Sequence, residues 1–369
     1  MKVLQLGKFY PIRGGVEKVM WDLTENLSKR GVYCDMLCAN YDPRSRSQEI
    51  RFNDFGRVIV LPTSFQASGT MICPKMVSWL RDHCREYDII HVHHPDPMAC
   101  LALRLSGYEG RVILHWHSDI LKNKVVLAMY EPLQSWLIGR ADTIVGTTPV
   151  YVAQSKALSR VQGKVTYVPI GIEPVQYDEA KAEELRGKYS GKKIVFSLGR
   201  LVPYKGFKYL IKAAEYLPED YMVLIGGTGP LKDDLQNEIN SLNLGGKVEL
   251  LGFVPDEVLP ALYGASDIFV MSSVMKTEAF GIVQIEAMSC GKPIVATNIP
   301  ESGVSWVNSN GESGLNVAPE DPEALAVAIK SICDDNAVYN KYSKGAKNRF
   351  FTTFTISNMI DKILNIYEG

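Results

Sequence analysis

The chain has 369 residues, 46% of them apolar and 22% charged, which is enough for two packed domains and excludes a mainly disordered chain. Its 40 Lys and Arg stand against 41 Asp and Glu, a net of −1, which excludes a protein built mainly to coat nucleic acid. The charge is uneven: residues 1–170 carry 21 basic and 15 acidic side chains, whereas residues 171–369 carry 19 and 26. Two domains with different partners fit that asymmetry, the basic one suiting an acidic ligand or a membrane surface.

Short runs rich in Val and Ile at 3–6, 32–37, 58–61, 89–93, 112–116 and 143–146 read as strands, with a helical period at 17–29 after the first. A further run at 165–169 ends at Pro169, Gly171 and Pro174, and a polar helix is expected at 178–188. A second series of strands follows at 194–198, 222–225, 248–251, 268–271, 294–296 and 315–317, with helices at 205–217, 231–242 and 322–333. Strands apolar on both faces and separated by helices are parallel strands covered on both sides. The fold class is therefore α/β, with two Rossmann-like doubly wound domains at 1–170 and 171–354. A helix at about 355–369 lies past the second sheet and is expected to pack back on the first domain. Ligands of such sheets bind at the carboxyl ends of the strands, so a central cleft between facing domains is the expected site. Seven cysteines without a C-x-x-C spacing fit a reducing compartment, not disulfides or structural zinc. The strand-like start and the lack of any apolar run near ~18 residues point to a cytoplasmic protein, or one peripheral on the inner face of the cell membrane.

Four segments carry chemistry. Gly14-Gly15-Val16-Glu17 follows the first strand, where glycines permit close backbone approach and a helix start offers amides to an anion. A plain tight turn accounts for it equally well. Arg200 and Lys205 sit on the loop after strand 194–198, where a guanidinium can grip a diphosphate and an ammonium adds a point charge. Residues 272–293 hold Glu278, Phe280, Gly281, Ile282 and Glu286. The amides around Gly281 are expected free at a helix start. Helical geometry places Glu278 and Glu286 two turns apart on one face, as binders of sugar and ribose hydroxyls. Five of the six histidines lie in His91-Val92-His93-His94 and His115-Trp116-His117. A metal site is disfavoured because no acidic or cysteine ligand has matching spacing. His117 and Asp119 are expected at the cleft edge, with His93 and His94 on the acceptor side. Packing at strand ends is the alternative.

Together these residues, with Pro169-Ile170-Gly171-Ile172 and Leu251-Gly252-Phe253-Val254-Pro255, resemble the retaining glycosyltransferases of family 4, of GT-B architecture, over nearly the whole chain. The resemblance implies a nucleotide diphosphate sugar donor (GDP- or UDP-sugar) and a glycan or lipid-linked acceptor, as in cell-surface polysaccharide synthesis. It implies that Arg200 and Lys205 bind the diphosphate and that Glu286 binds the ribose. Glu278 with Phe280, Gly281 and Ile282 would hold the donor sugar, and Val254 the base through its backbone. Gly14 and Gly15 would approach the diphosphate, and His117 the anomeric centre. No metal or other cofactor and no nucleic acid are expected. The basic first domain, through 121–140 with Leu127, Met129, Tyr130, Leu133, Trp136 and Leu137, is a possible membrane contact or a buried helix. A nucleotide-sugar 2-epimerase and a non-catalytic nucleotide-sugar-binding protein are the alternatives. A dinucleotide dehydrogenase is disfavoured by the missing G-x-G-x-x-G.

Overall fold

The computed structural model describes residues 1–67, 69–120 and 124–369, with backbone alone at 124–127. The chain divides into two compact units, Met1–Ile170 with Ile356–Gly369, and Gly171–Thr355.

The first unit contains β1 (Lys2–Tyr10), β2 (Tyr33–Asn40), β3 (Gln48–Asn53), β4 (Gly56–Leu61), β5 (Phe65–Ala67), β6 (Thr70–Ile72), β7 (Ile89–His94), β8 (Arg111–Trp116), β9 (Thr143–Gly146) and β10 (Val165–Tyr167). Its sheet runs β10-β9-β8-β7-β1-β2-β4-β3 and is parallel except for β3, which pairs antiparallel with β4. The order reverses between β1 and β7, so their carboxyl ends flank the topological switch point where such sheets bind ligands. β3 and the β5–β6 hairpin lie outside the expected strands. In β3 only Ile50 and Phe52 pack inward, on a cluster of Met20, Met36 and Val58, so the segment alternates instead of forming an apolar run. β10 stops at Tyr167, two residues short of Pro169.

The helix Ile356–Glu368 belongs to this first unit. It buries Ile356, Met359, Ile360, Ile363 and Tyr367, a single stripe at helical spacing. Arg111 donates to the carbonyls of Ile366 and Tyr367 at 2.6 and 2.8 Å, satisfying orphan acceptors at the helix end. Of the stretch weighed for membrane contact, residues 121–123 and the side chain of Leu127 lie outside the described residues. In the helix Lys124–Arg140, Tyr130 and Leu137 are core residues, which removes them from any exposed face, whereas Met129 is 80% exposed.

The second unit contains β11 (Lys193–Leu198), β12 (Tyr221–Gly226), β13 (Val248–Gly252), β14 (Ile268–Met271), β15 (Ile294–Thr297) and β16 (Gly314–Val317), ordered β13-β12-β11-β14-β15-β16 and all parallel. Here the switch point falls between β11 and β14. Val195, Val223, Val270 and Val295 meet Phe207, Leu210, Ile211, Leu325 and Ile329 in the core. The helix expected at 205–217 is broken. A 3-10 turn Pro203–Lys205 comes first, Gly206 follows at φ 66°, and the α-helix is Phe207–Ala213. A Cβ on Gly206 would lie 2.1 Å from the Ser272 carbonyl oxygen, so the two switch-point loops touch backbone to backbone only because this residue is glycine.

Candidate functional site

In the second unit, β11 delivers Gly199, Arg200 and Lys205 to the switch point, and β14 delivers Ser272, Ser273 and Glu278. The Lys205 ammonium meets Glu278 Oε2 at 2.5 Å, with both side chains nearly buried (13% and 12% exposed). Ser273 Oγ donates to the same oxygen at 3.1 Å, and Ser272 Oγ to the Lys205 carbonyl at 3.0 Å. Burial alone would lower the Lys205 pKa, but the charge of Glu278 and the hydrogen bond to it overcome this and raise it. The lysine chain folds over Gly199, where a Cβ would stand 3.1 Å from Cε. Arg200 is exposed beside it.

Lys205 therefore does not head a helix, and its place is fixed by a carboxylate. Glu278 also departs from expectation. The helix is Ile282–Ser289 with Gly281 at φ 78° as N-cap, so Glu278 lies in the preceding loop and shares no helical face with Glu286. That loop is held by Ser302, whose Oγ donates to the Glu278 carbonyl at 2.5 Å, and by the Gly303 amide on the Ala279 carbonyl at 3.1 Å. A Cβ on Gly281 would meet Met271 Cε at 2.5 Å. Ile282 opens the helix, where first-turn amides lack intrahelical acceptors. Phe280 is buried edge-on against Phe354. Glu286 is half-buried and accepts from the Tyr263 hydroxyl at 2.5 Å; burial, then this carboxylate, pushes the Tyr263 pKa up. Val254 is half-buried beyond β13, and a Cβ on Gly226 would reach its Cγ2 at 2.8 Å. The expected set lacked Gly227 and Gly229. Cβ atoms there would stand 1.9 Å from the Gly199 and 2.4 Å from the Leu201 carbonyl oxygen, so the Arg200 loop rests on a second glycine loop. The spacing Gly226-Gly227-Thr228-Gly229 after a strand was the available signal.

In the first unit, Gly14 is the N-cap of the helix Gly15–Lys29, with extended backbone at φ −154°. A Cβ there would meet Glu17 Oε2 at 2.8 Å. Asp119 is engaged within its own unit: Trp116 Nε1 donates to its carboxylate at 3.0 Å and Ser155 Oγ at 2.7 Å, while its amide donates to the Tyr151 hydroxyl. These contacts brace the loop that follows β8. His117 is 5% exposed and stands in a stack of rings instead of at an open edge. His115 and His117 stack at 4.1 Å and 5°, and His91 and His115 at 5.3 Å and 11°. Ring nitrogens of His91, His93 and His115 come within 4.8 Å of one another. The rings are near parallel, so their in-plane lone pairs run side by side instead of converging as a tetrahedral ion requires. His94 is sealed against Trp116 and donates through Nε2 to Gln134 Oε1, 3.1 Å away.

A charged cluster at the carboxyl end of β1 escaped the sequence reading. Lys8, at φ 59°, donates through Nζ to the Pro95 carbonyl at 2.5 Å and through its amide to Asp96, which also caps the helix Pro97–Ser106. Burial lowers the Lys8 pKa against the opposing pull of Asp96 and Glu17, and burial raises those of both carboxylates. Phe9, Thr70 and Met71 join Lys8 and Asp96 around a pocket of about 30 Å³. A lone lysine after an apolar run gave no distinctive pattern.

Known proteins support a definite family. The profile described as Glycosyl transferases group 1 matches residues 178–349, and that described as Glycosyltransferase Family 4 matches residues 13–176. The chain is 30% identical over 373 residues to the O-antigen chain mannosyltransferase C of Escherichia coli, covering 100% of this chain and 98% of that one. It is 29% identical over 361 residues to the D-rhamnosyltransferase WbpZ of Pseudomonas aeruginosa, covering 96% and 92%. The solved structure of Anabaena Alr3699/HepE in complex with UDP superposes with a TM-score of 0.80 at 22% identity, covering 100% of both chains, a likeness of fold.

Proposed function

This chain belongs to the family 4 glycosyltransferases, with a group 1 glycosyl transferase domain in its second half, and from that premise we propose that it moves a hexose, with retention, from a GDP- or UDP-linked donor to a hydroxyl of a glycan or lipid-linked acceptor. The observation that carries the reading is the buried Lys205–Glu278 pair at the second unit's switch point, beside exposed Arg200 and the start of the helix Ile282–Ser289. Breaking a glycosyl–phosphate bond builds negative charge on the leaving diphosphate and positive charge on the sugar ring. Preorganised cations and helix amides stabilise the first. We assign Arg200 and Lys205 to the diphosphate, and the amides of Gly281 and Ile282 with Glu278 to the donor sugar. Glu286, positioned by Tyr263, is assigned to the ribose hydroxyls, and the Val254 backbone to the base. His117 is assigned to the sugar, and Gly14 and Gly15 to the diphosphate. In this reading the cations supply the positive charge and no metal is needed.

The names of the relatives favour a mannose-type or deoxy sugar and a cell-surface polysaccharide as product. A lipid-linked acceptor would place the work at the inner face of the membrane. No helix among the described residues is long and apolar enough to cross one.

The test is thermal stabilisation by a panel of GDP- and UDP-sugars, because a ligand of the native state raises the melting temperature. One nucleotide class should stabilise the protein, and Arg200→Ala and Glu286→Ala should abolish the effect. Unchanged stabilisation in both variants refutes the donor site. Sugar isomerisation without an acceptor would refute transfer in favour of epimerisation.

A further inference from the structure

A continuous hydrogen-bonded chain runs through the first unit from the helix Ile356–Glu368 to His117. Gln5 Nε2 donates to the Tyr367 hydroxyl at 3.0 Å, and that hydroxyl lies 2.6 Å from His91 Nδ1. Gln5 Oε1 lies 2.8 Å from His93 Nε2, and His93 Nδ1 lies 2.9 Å from His117 Nε2. All these side chains are buried, from 0% to 5% exposed. The parallel register places Gln5 of β1 opposite His91 of β7, and His93 opposite His115 of β8, so the members share one face of the sheet.

With the Gln5 amide oriented as it stands, Nε2 on the Tyr367 hydroxyl and Oε1 on His93, the donors and acceptors follow one sense. An amide oxygen only accepts, so His93 must carry its proton on Nε2. Burial holds the His93 and His117 pKa values well below the usual imidazole value, so each ring has a single N–H. His93 Nδ1 is then a lone pair, and His117 must donate to it from Nε2. The Tyr367 hydroxyl, having accepted from Gln5, gives its own proton to His91 Nδ1. The opposite sense would turn the Gln5 amide over. One N–H would then face His93, and the other would lose Cys34 Sγ, which now stands 3.7 Å from Gln5 Nε2. An unpaired buried N–H costs about 1–3 kcal/mol, and each sense leaves one, at His91 Nε2 in the first and at the Gln5 amide in the second, so the sense is set by the Gln5 orientation, which puts Nε2 on the Tyr367 hydroxyl and Cys34 Sγ.

We propose that Gln5 and Tyr367 are positioning residues that fix His117 as its Nε2–H tautomer, leaving Nδ1 as the ring's hydrogen-bond acceptor toward a hydroxyl of the donor sugar. The sugar contact rests on the function proposed above; the tautomer itself does not. A helix more than 200 residues away in sequence thereby sets which atom of His117 can accept a proton. The arrangement parallels the rule that the group behind a catalytic imidazole decides its tautomer.

The test combines histidine ¹⁵N spectra at neutral pH, assigned by single replacements, with nucleotide release from GDP-mannose and UDP-glucose. His93 and His117 in the unaltered chain should both show protonated Nε2. Tyr367→Phe, which deletes one hydroxyl from an otherwise intact helix, should convert His117 to a mixture of tautomers. Gln5→Leu should do the same and lower turnover about 10–100-fold with little change in donor KM. Gln5→Glu, which keeps an acceptor for His93 Nε2, should restore most of the turnover. A proton on Nδ1 of His117, or an unaltered tautomer in both Tyr367→Phe and Gln5→Leu, overturns the proposal. If the tautomers stand as stated but no nucleotide is released from either donor, the relay survives and the donor assignment fails instead.

Discussion

Replacing Lys205 with alanine separates the two jobs of the Lys205–Glu278 pair. Both members are nearly buried and touch at 2.5 Å, so removing the ammonium strands a carboxylate that still accepts from Ser273 Oγ but has lost its counter-charge. Breaking a buried pair from one side costs about 3–5 kcal/mol. At roughly 2–4 °C per kcal/mol for a domain of this size, the melting temperature should fall by roughly 6–20 °C. Turnover should fall on the order of a hundredfold or more, because a preorganised cation facing the leaving diphosphate is lost. The double variant Lys205→Met with Glu278→Leu removes both charges and fills similar volume. It should regain most of the stability and none of the turnover. Calorimetry and nucleotide release on the same preparations measure both quantities. A single variant that melts like the unaltered chain, or a double variant that recovers turnover, refutes the reasoning. The sign with pH is also fixed. A raised folded-state pKa gives stability that is full below the ordinary lysine value of 10.5 and is lost as pH rises through the folded value.

The histidine stack makes the first unit acid-labile. Burial depresses the pKa values of His91, His93, His94, His115 and His117, to about 3 for His94 and His115. The unfolded chain binds protons that the folded chain refuses, so stability drops as pH falls below 6.5, by about 1.4 kcal/mol per histidine per pH unit once well below it. Circular dichroism melts should show a steep loss between pH 6 and 5 (roughly, from those pKa values), and a flat profile there refutes neutral burial. Gly206→Ala sets a Cβ 2.1 Å from the Ser272 oxygen at a left-handed φ and should cost about 1–3 kcal/mol or more in a denaturant titration. Arg111→Ala removes both donors from the end of the helix Ile356–Glu368. It should cost about 1–3 kcal/mol and speed proteolysis at that helix.

Most of the architecture is legible in the sequence because parallel strands buried on both faces write themselves as unbroken Val and Ile runs. Ile268–Met271 and Thr143–Gly146 appear within the bounds that their runs define. β3 is not legible in that way, since one of its faces is polar. The helix break at Gly206 is invisible locally, because its cause is a carbonyl 66 residues further on. The site divides similarly. Arg200, Lys205, Glu278 and Glu286 are marked by their positions after strands, but a spacing of eight could not tell a helix from a loop leading into one. That Lys205 and Glu278 pair with each other, that Asp119 braces Trp116, and that half-buried Lys8 stands beside Asp96 are products of tertiary neighbourhood.

The assignment of the helix Ile356–Glu368 to the first unit has a bearing on biosynthesis. During translation, residues 1–170 emerge with the sheet face around Gln5 and His91 uncovered, and the stretch that seals it is made only after all of Gly171–Thr355. His91, which meets the Tyr367 hydroxyl, and an apolar face stay wet for the time needed to make some 185 residues. A gene split at the 170/171 junction therefore yields an unfinished amino-terminal fragment, and a working two-piece enzyme requires the fourteen residues 356–369 to be grafted onto it.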